Sequence, residues 1–415
     1  MRLSTTMMYT NGLSGVLAQE SDMNRLVEQI GSGRKNLSPA DDPLAAALAI
    51  GVAQTQSMNS AYAMNRQTAN TNLGQESNTL DAVTNILQEA RTRIIQAGGV
   101  LSDSDRQALS TALKSTREAL LGLANATDGN GQYLFSGNDG NVMPYSTDAS
   151  GKIVYSGSTG ERTVQVDQSR QLSTSDLGKD IFGRANPGSQ TYVSSVPGSN
   201  LGTAEFGAAS VTPGSPNLGK NFAVQFEADP VTGEMGYRVT TTDADGSNPV
   251  TVPDTLQPAT PYVSGATIDF GGVSVAIKGA PEAGDVVNVE SIQSADMDVF
   301  ATLDSLISAL DAPSAGDPVA TARLNNELAT ANKKLASAYD NVLTVNASVG
   351  ARMNELDALD ATGTQKGLSY AKSLSDLEDL DYYQGASQLA LRQVALQAAS
   401  AAFMTIQGSS LFSRK

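Results

Sequence analysis

Cysteine, histidine and tryptophan are all absent from this 415-residue chain. With neither thiol nor imidazole there is no thiolate nucleophile, no imidazole base, no disulfide and no zinc site of the usual kind. Most hydrolase and metalloenzyme readings end there. Charge is also scarce, at 17% of residues against roughly 25% in ordinary soluble proteins. Lys+Arg 27 against Asp+Glu 43 leaves a net charge of −16, which opposes nucleic acid and anionic membrane as partners. No apolar run approaches the ~18 residues of a membrane span, and the N-terminus carries no charged, apolar and cleavable signal. Export routes that leave the N-terminus uncut stay open. Ser, Thr, Asn, Gln, Ala and Gly fill the place of charge, a surface with little repulsion between copies that favours dense self-association.

What the chain does have is periodicity. Leu328, Leu335, Val342, Val349 and Leu356 fall every seven residues. Ala331, Ala338, Val345 and Leu359 follow three residues behind members of that set, with Arg352 the one polar break. Two interleaved sevens form the a/d seam of a helix packed along its length on another. No proline lies between Val319 and Leu374, and Gly350 is the only glycine before Gly363. The pattern predicts a helix of roughly 40 residues, about 60 Å long, which suits a rod. Leu73, Leu80, Leu87 and Ile94, with Val83, Ala90 and Ala97, repeat the pattern and are its natural partner. These nine positions, Leu73 to Ile94 and Leu328 to Leu356, are the expected rod core.

Other helices are readable from their ends. Asp42 as cap and Pro43 as first residue open the helix that reaches Ala97. Ser102 or Asp103 opens a third, carrying Leu109, Leu113, Leu120 and Leu123. Short strand-like pieces follow at Tyr133–Phe135, Ile153–Tyr155 and Thr163–Val166. From about 170 to 294, Pro, Gly, Ser and Thr punctuate alternating runs such as Phe222–Phe226, Tyr237–Thr240, Ile268–Phe270, Val273–Val275 and Val286–Val289. Helix returns with Val299, Leu303, Leu306, Ile307 and Leu310.

The expected fold is α+β: an elongated rod of long paired helices, N- and C-terminal regions antiparallel, with an inserted mainly-β domain. The expected divisions are residues 1–40 with 372–415 as a terminal helical domain, and 41–168 with 296–371 as the long-helix domain with short β-hairpins. Residues 169–295 are the surface-exposed insert.

Two thin apolar stripes mark the chain ends. Leu13, Val16, Leu17, Met23, Val27 and Ile30 form one, and Leu389, Leu396, Phe403 and Ile406 the other. They are expected to be subunit-interface residues, buried only against neighbouring copies and largely unfolded in the monomer, with an intramolecular two-helix hairpin as the alternative.

Each polar constellation has a plainer explanation than chemistry. Asp41-Asp42 caps a helix, and Asp376, Glu378, Asp379 and Asp381 suit the first turns of the terminal helix. Asp243-Ala244-Asp245-Gly246 and Asp128-Gly129-Asn130-Gly131 begin like Ca²⁺ loops but lack the full ligand set and the later Glu. Gly31-Ser32-Gly33-Arg34-Lys35 lacks phosphate-loop spacing and reads as a flexible joint. Phe222, Phe226, Tyr237, Tyr262 and Phe270 could line a sugar site, or simply form core. No catalytic residue, cofactor or metal site is expected.

Met1-Arg2-Leu3-Ser4-Thr5 with Met7-Met8-Tyr9, and Gly33-Arg34-Lys35 through Ser38-Pro39-Ala40-Asp41-Asp42-Pro43, resemble the N-terminal region of the bacterial flagellin superfamily. Ala347 to Asn354 and the acidic run Asp376–Asp381 resemble its C-terminal region. Within the superfamily, the Met-Met-Tyr start and Asp128 to Gly137 look like the branch that joins hook to filament. The likeness covers roughly 1–140 and 296–415 and leaves the insert unmatched. It implies a non-enzymatic axial protein of the extracellular flagellum, exported by the flagellar type III route without signal cleavage. Its terminal helices would line the inner tube, its paired helices the outer tube, and its insert the exterior. The implied partners are further copies in a ring, an adjacent hook-associated protein, flagellin, and a cytoplasmic export chaperone on the C-terminal helix. Bulk flagellin and a glycan-binding appendage protein are the rival expectations.

Overall fold

The computed structural model describes residues 5–99, 102–255, 257–314 and 316–408. Three helices come first: α1 Thr5–Ser32, α2 Pro43–Ala97 and α3 Asp103–Ala124. Two small hairpins follow, β1 Tyr145–Thr147 with β2 Ile153–Tyr155 and β3 Thr163–Asp167 with β4 Arg170–Ser173, then the short α4 Gly178–Phe182. The insert holds β5 Tyr192–Ser195, β6 Glu205–Phe206, β7 Ser210–Val211, β8 Asn221–Ala228, β9 Met235–Thr242, β10 Val250–Val252 and β11 Thr260–Pro261. It continues through β12 Thr267–Asp269, β13 Val273–Lys278 and β14 Val286–Ser291. Helices α5 Val299–Asp311, α6 Pro318–Glu378 and α7 Tyr382–Gly408 complete the fold. The architecture is α+β, as expected. The chain divides into two compact units, Met1–Arg66 with Asp357–Lys415, and Gln67–Leu356.

In the larger unit all nine seam positions are buried, from 0% exposed at Leu73, Leu80, Leu335 and Val349 to 5% at Leu328. Each contributes about 1.5–3 kcal/mol of apolar burial. The direction of packing is set by side-chain hydrogen bonds across the pair. Ser77 Oγ donates to Asn346 Oδ1 at 2.8 Å, Gln88 Nε2 to Tyr339 Oη at 2.7 Å, and Arg91 Nε to Asn332 Oδ1 at 3.4 Å. Rising numbers on α2 meet falling numbers on α6, so the two run antiparallel. Helix α3 opens on a Ser102 capping box closed by Asp105. It pairs antiparallel with α5 through Lys114–Asp311 at 2.8 Å and Arg117–Asp304 at 2.5 Å. Phe135, Tyr145, Phe182 and Phe300 pack as one aromatic knot, with ring centroids 5.1–6.0 Å apart, tying the first hairpin and α4 to α5.

The insert is a two-sheet sandwich. One sheet runs β10-β9-β8-β14-β5 with β11 on β9, and the other β12-β13-β6 with β7 on β13. Alternation drives it: every second residue of β13 and β14 is buried, the period-2 signature of a half-solvated strand. Phe222, Val224, Phe226, Val287 and Val289 from one sheet close on Ile268, Val273, Val275 and Ile277 from the other, and Phe222 stacks on Phe270 at 4.7 Å. Helix α6 holds the insert. Asn326 donates from Nδ2 to Ala204 O at 2.8 Å and accepts from Phe206 N–H at 3.2 Å. Thr330 Oγ1 donates to Ser194 O at 2.8 Å.

Three local expectations fail for physical reasons. Helix α6 runs 61 residues rather than roughly 40, passing through Gly363 and Gly367. Gly363 does not break it because its carbonyl accepts Asn59 Nδ2 at 2.8 Å and the space of its missing Cβ is filled by the Arg66 guanidinium. Residues Tyr133–Phe135 are not a strand. Tyr133 N–H bonds to Gly140 O and Leu134 N–H to Ala126 O, so partners change at each residue and no ladder forms. Asp376 and Glu378 close α6 instead of opening the terminal helix, since no proline or glycine stops α6 earlier.

Candidate assembly surfaces

Helices α1 and α7 pair within one chain. The Tyr9 and Phe403 rings lie 5.0 Å apart, and Gly12 leaves Phe403 room, since a Cβ there would be 3.0 Å from Phe403 Cδ2. Arg392 bonds Asp22 Oδ2 at 2.9 Å and Gln19 Oε1 at 3.2 Å. The hairpin arrangement is thus the one formed. It has almost no core. Among the described residues of α1 and α7, only Leu26 and Gly385 are buried. Val16, Met23, Ile30, Leu389, Leu396 and Phe403 are half-buried. Ile406 lies in α7, but its side chain falls outside those described.

A second set of apolar side chains is left open. Leu17 is 54% exposed, Val27 50%, Leu391 67%, Val394 63% and Met404 67%, while Leu13 stands at 37%. Leu391 and Val394 are three apart, one helical neighbour spacing, yet fall off the seven-residue stripe that picks out Leu389, Leu396 and Phe403. Leu26 was equally readable, three residues after Met23 and four before Ile30.

The segment from Gly31 to Lys35, expected as a flexible joint, is instead fastened to the connector between α6 and α7. Leu380 N–H donates to Gly33 O at 2.9 Å and Lys35 N–H to Glu378 O at 2.8 Å. Arg34 reaches Glu378 at 3.4 Å. Gly33 has φ +72°, a left-handed conformation that favours glycine, and the Tyr382 hydroxyl would stand 2.9 Å from a Cβ there. Asp41 accepts Leu37 N–H and Ser38 N–H, and Asp42 accepts Ala45 N–H at 2.9 Å. Asp381 caps α7 through Tyr383 N–H and Gln384 N–H. These carboxylates are consumed by backbone.

The larger unit holds a buried charged constellation that the apolar pattern hid. Glu76 on α2 is fully buried and its Oε1 accepts Asp176 N–H at 2.9 Å. Asp176 in turn pairs with Arg352 of α6, which also donates to Ser173 O at 3.2 Å. Burial pushes the Glu76 carboxyl up to about 8, and the charge of Asp176 adds to the rise. Burial raises Asp176 as well, while Arg352 opposes it.

Among the described residues no group of three or more His, Cys, Asp or Glu is placed to hold a metal, and no helix is long and apolar enough to cross a membrane. The Asp128 and Asp245 loops fold as turns, their carboxylates taking backbone N–H groups at 2.8–2.9 Å. The aromatics Phe222, Phe226 and Phe270 are sandwich core, and Tyr237 and Tyr262 pack against it.

Residues 3–139 match the family profile of the bacterial flagellin N-terminal helical region. Over 418 residues the chain is 30% identical to flagellar hook-associated protein 3 of Escherichia coli (strain K12), covering 99% of each. Among solved structures it resembles flagellar hook-associated protein 3 from Legionella pneumophila, with TM-score 0.69 and 28% identity over 79% of this chain and 98% of that one. A second Legionella pneumophila structure, the flagellar junction protein FlgL, gives TM-score 0.64 at 27% identity, covering 80% and 100%.

Proposed function

We propose how this chain works from one premise: it belongs to the flagellar hook-associated protein 3 family. It is a structural adaptor of the bacterial flagellum, standing at the junction of hook and flagellin filament. Its work is done by contact between subunits. The supporting observation is a terminal hairpin with almost no core that leaves Leu391 and Val394 more than 60% exposed.

Covering Leu17, Val27, Leu391, Val394 and Met404 against neighbours contributes about 1–2 kcal/mol each, so roughly 5–10 kcal/mol per chain. Association itself costs about 4–15 kcal/mol. One neighbour covers only part of this surface and leaves the balance near zero. Several neighbours, presented together by a preformed template, tip it. Copies therefore join at the hook tip as a ring and stay apart in solution, bounded by an adjacent hook-associated protein on one side and flagellin on the other. Before export without signal cleavage, a cytoplasmic chaperone would cover the open face of α7.

The outward residues give the cleanest test, because Leu396 and Phe403 also serve the hairpin. A strain deleted for this chain is complemented with Leu391→Asp/Val394→Asp, and hooks and medium are inspected by electron microscopy and immunoblot. The expected result is bare hooks with flagellin monomers outside, while thermal unfolding of the purified variant matches wild type. Normal filaments would sink the reading.

A further inference from the structure

We propose that a cavity between the insert and α6 is a carboxylate-binding site, with Lys333 as its cation. The cavity measures about 260 Å³. That is far above the ~10–15 Å³ a single water needs and close to the lower end of ligand pockets, roughly 300–1,000 Å³. Its polar lining comes from Ser194 on β5 and from Asn332 and Lys333 on α6; its apolar walls include Tyr192, Phe206 and Ala336.

The polar groups present donors. Lys333 is half-buried, and no carboxylate lies within ion-pair distance of its ammonium among the described residues. Burial lowers its pKa, and the more distant Asp340 only partly restores it. Ser194 is 5% exposed, its carbonyl is taken by Thr330, and its Oγ is closed off from solvent, so it forms part of the wall and not a donor to the cavity. Asn332 uses Oδ1 to accept from Arg91, which leaves its amino group to donate. The Tyr192 hydroxyl is already committed to Asn217 O and Gly219 N–H, so it adds only a ring.

A lysine and an asparagine amide among the lining residues, with no acid beside them, call for an anion. A single cation matches one negative charge better than a phosphate dianion, which draws on several charged or backbone donors. The aromatic and alanine walls select an acid with an apolar body. Binding would supply the counter-charge that the half-buried ammonium lacks. The carboxylate is either a free monocarboxylic acid or an acidic side chain of a second copy, which a chain of net charge −16 offers in number.

The test follows the rate at which an amine-reactive ester labels Lys333 in the full chain, by peptide mass spectrometry, with Lys334 and Lys220 as internal references. Sodium benzoate is titrated against sodium chloride of equal ionic strength. At least a threefold, saturable slowing confined to Lys333 is expected, weakened by Ala329→Leu, which narrows the cavity, and abolished by Ala336→Leu, which fills it. Slowing that instead follows protein concentration, without benzoate, assigns the carboxylate to a second copy. Labelling indifferent to both, or protection that survives Ala336→Leu, overturns the proposal. Should Ala336→Leu fail to fold, Ala329→Leu at the exposed side of the cavity decides: undiminished protection there also overturns it.

Discussion

Glu76→Gln should remove most of the alkaline sensitivity of the larger unit. A carboxyl whose folded pKa is raised stabilises fully below its unfolded value and loses that contribution as pH rises through the folded one. For Glu76 the window runs from the ordinary glutamate value of 4.5 to about 8. At about 1.4 kcal/mol per pH unit the whole loss is at most roughly 5 kcal/mol. Relaxation and water entry at a buried site reduce it, so about 2–3 kcal/mol is expected. For a unit of this size that is a Tm difference on the order of 4–12 °C. The chain suits the measurement, because with no His and no Cys few other groups titrate between pH 5.5 and 9.5. The lowered pKa of Lys333 acts with the opposite sign, but it does so equally in wild type and variant. Glutamine keeps an oxygen for Asp176 N–H and fills the same volume. Thermal unfolding followed by circular dichroism should place the two proteins nearly together at pH 4.5 and separate them progressively up to pH 9, the variant being higher. Parallel profiles would refute the reasoning, since the ionisation of Glu76 would then carry no free energy.

Asn326→Ala leaves Ala204 O and Phe206 N–H without partners in a buried place, at a cost of about 2–4 kcal/mol; limited proteolysis should show faster cleavage around residues 200–210 than in wild type. Gly363→Ala sets helix propensity, worth about 1 kcal/mol in favour of alanine, against collision with Arg66 and loss of its 3.0 Å pair with Asp360. The collision should win by about 1–2 kcal/mol, so a variant more stable to urea than wild type would contradict it. In the isolated chain, hydrogen exchange in α1 and α7 should run orders of magnitude faster than beside Leu80 and Leu335; equal protection would mean the hairpin has stability that its burial does not account for.

How much of this was legible in the sequence depends on what each signal measures. The a/d spacing reports burial along a helix, and Leu73 to Ile94 and Leu328 to Leu356 are all buried. Period-2 alternation likewise located the sandwich strands. What spacing could not report was length, because Gly363 counts as a breaker until Arg66 and Asn59 are known to occupy its surroundings. Nor could it choose between a hairpin and an intermolecular seam, since the same stripe serves both. The Glu76 constellation was within reach. Extending Val83, Ala90 and Ala97 back by one heptad lands on Glu76, just as Arg352 sits on the matching row of α6. A lone acid in one seam row and a lone base in the other suggest a charged pair, but that pairing runs through Asp176, which no heptad contains. The insert cavity was invisible because Lys333 and Ser194 are 139 positions apart and meet only when β5 lies against α6.

The distribution of burial follows the demands on a junction subunit. The residues from Gln67 to Leu356 bury a continuous seam, an aromatic knot and a sandwich, enough apolar surface to offset their own ordering entropy. Helices α1 and α7 order more than fifty residues around Leu26 and a set of half-covered side chains. Isolated helices of that kind are marginal in water. A subunit whose pairing helices were fully satisfied alone would gain little from neighbours and would hold no preference for the hook tip over solution. On the proposed assembly, open apolar residues such as Leu391 and Val394 would make completion conditional on several neighbours at once, and low charge would keep those neighbours from repelling. On that proposal, weak cohesion at the chain ends would be what couples folding to position.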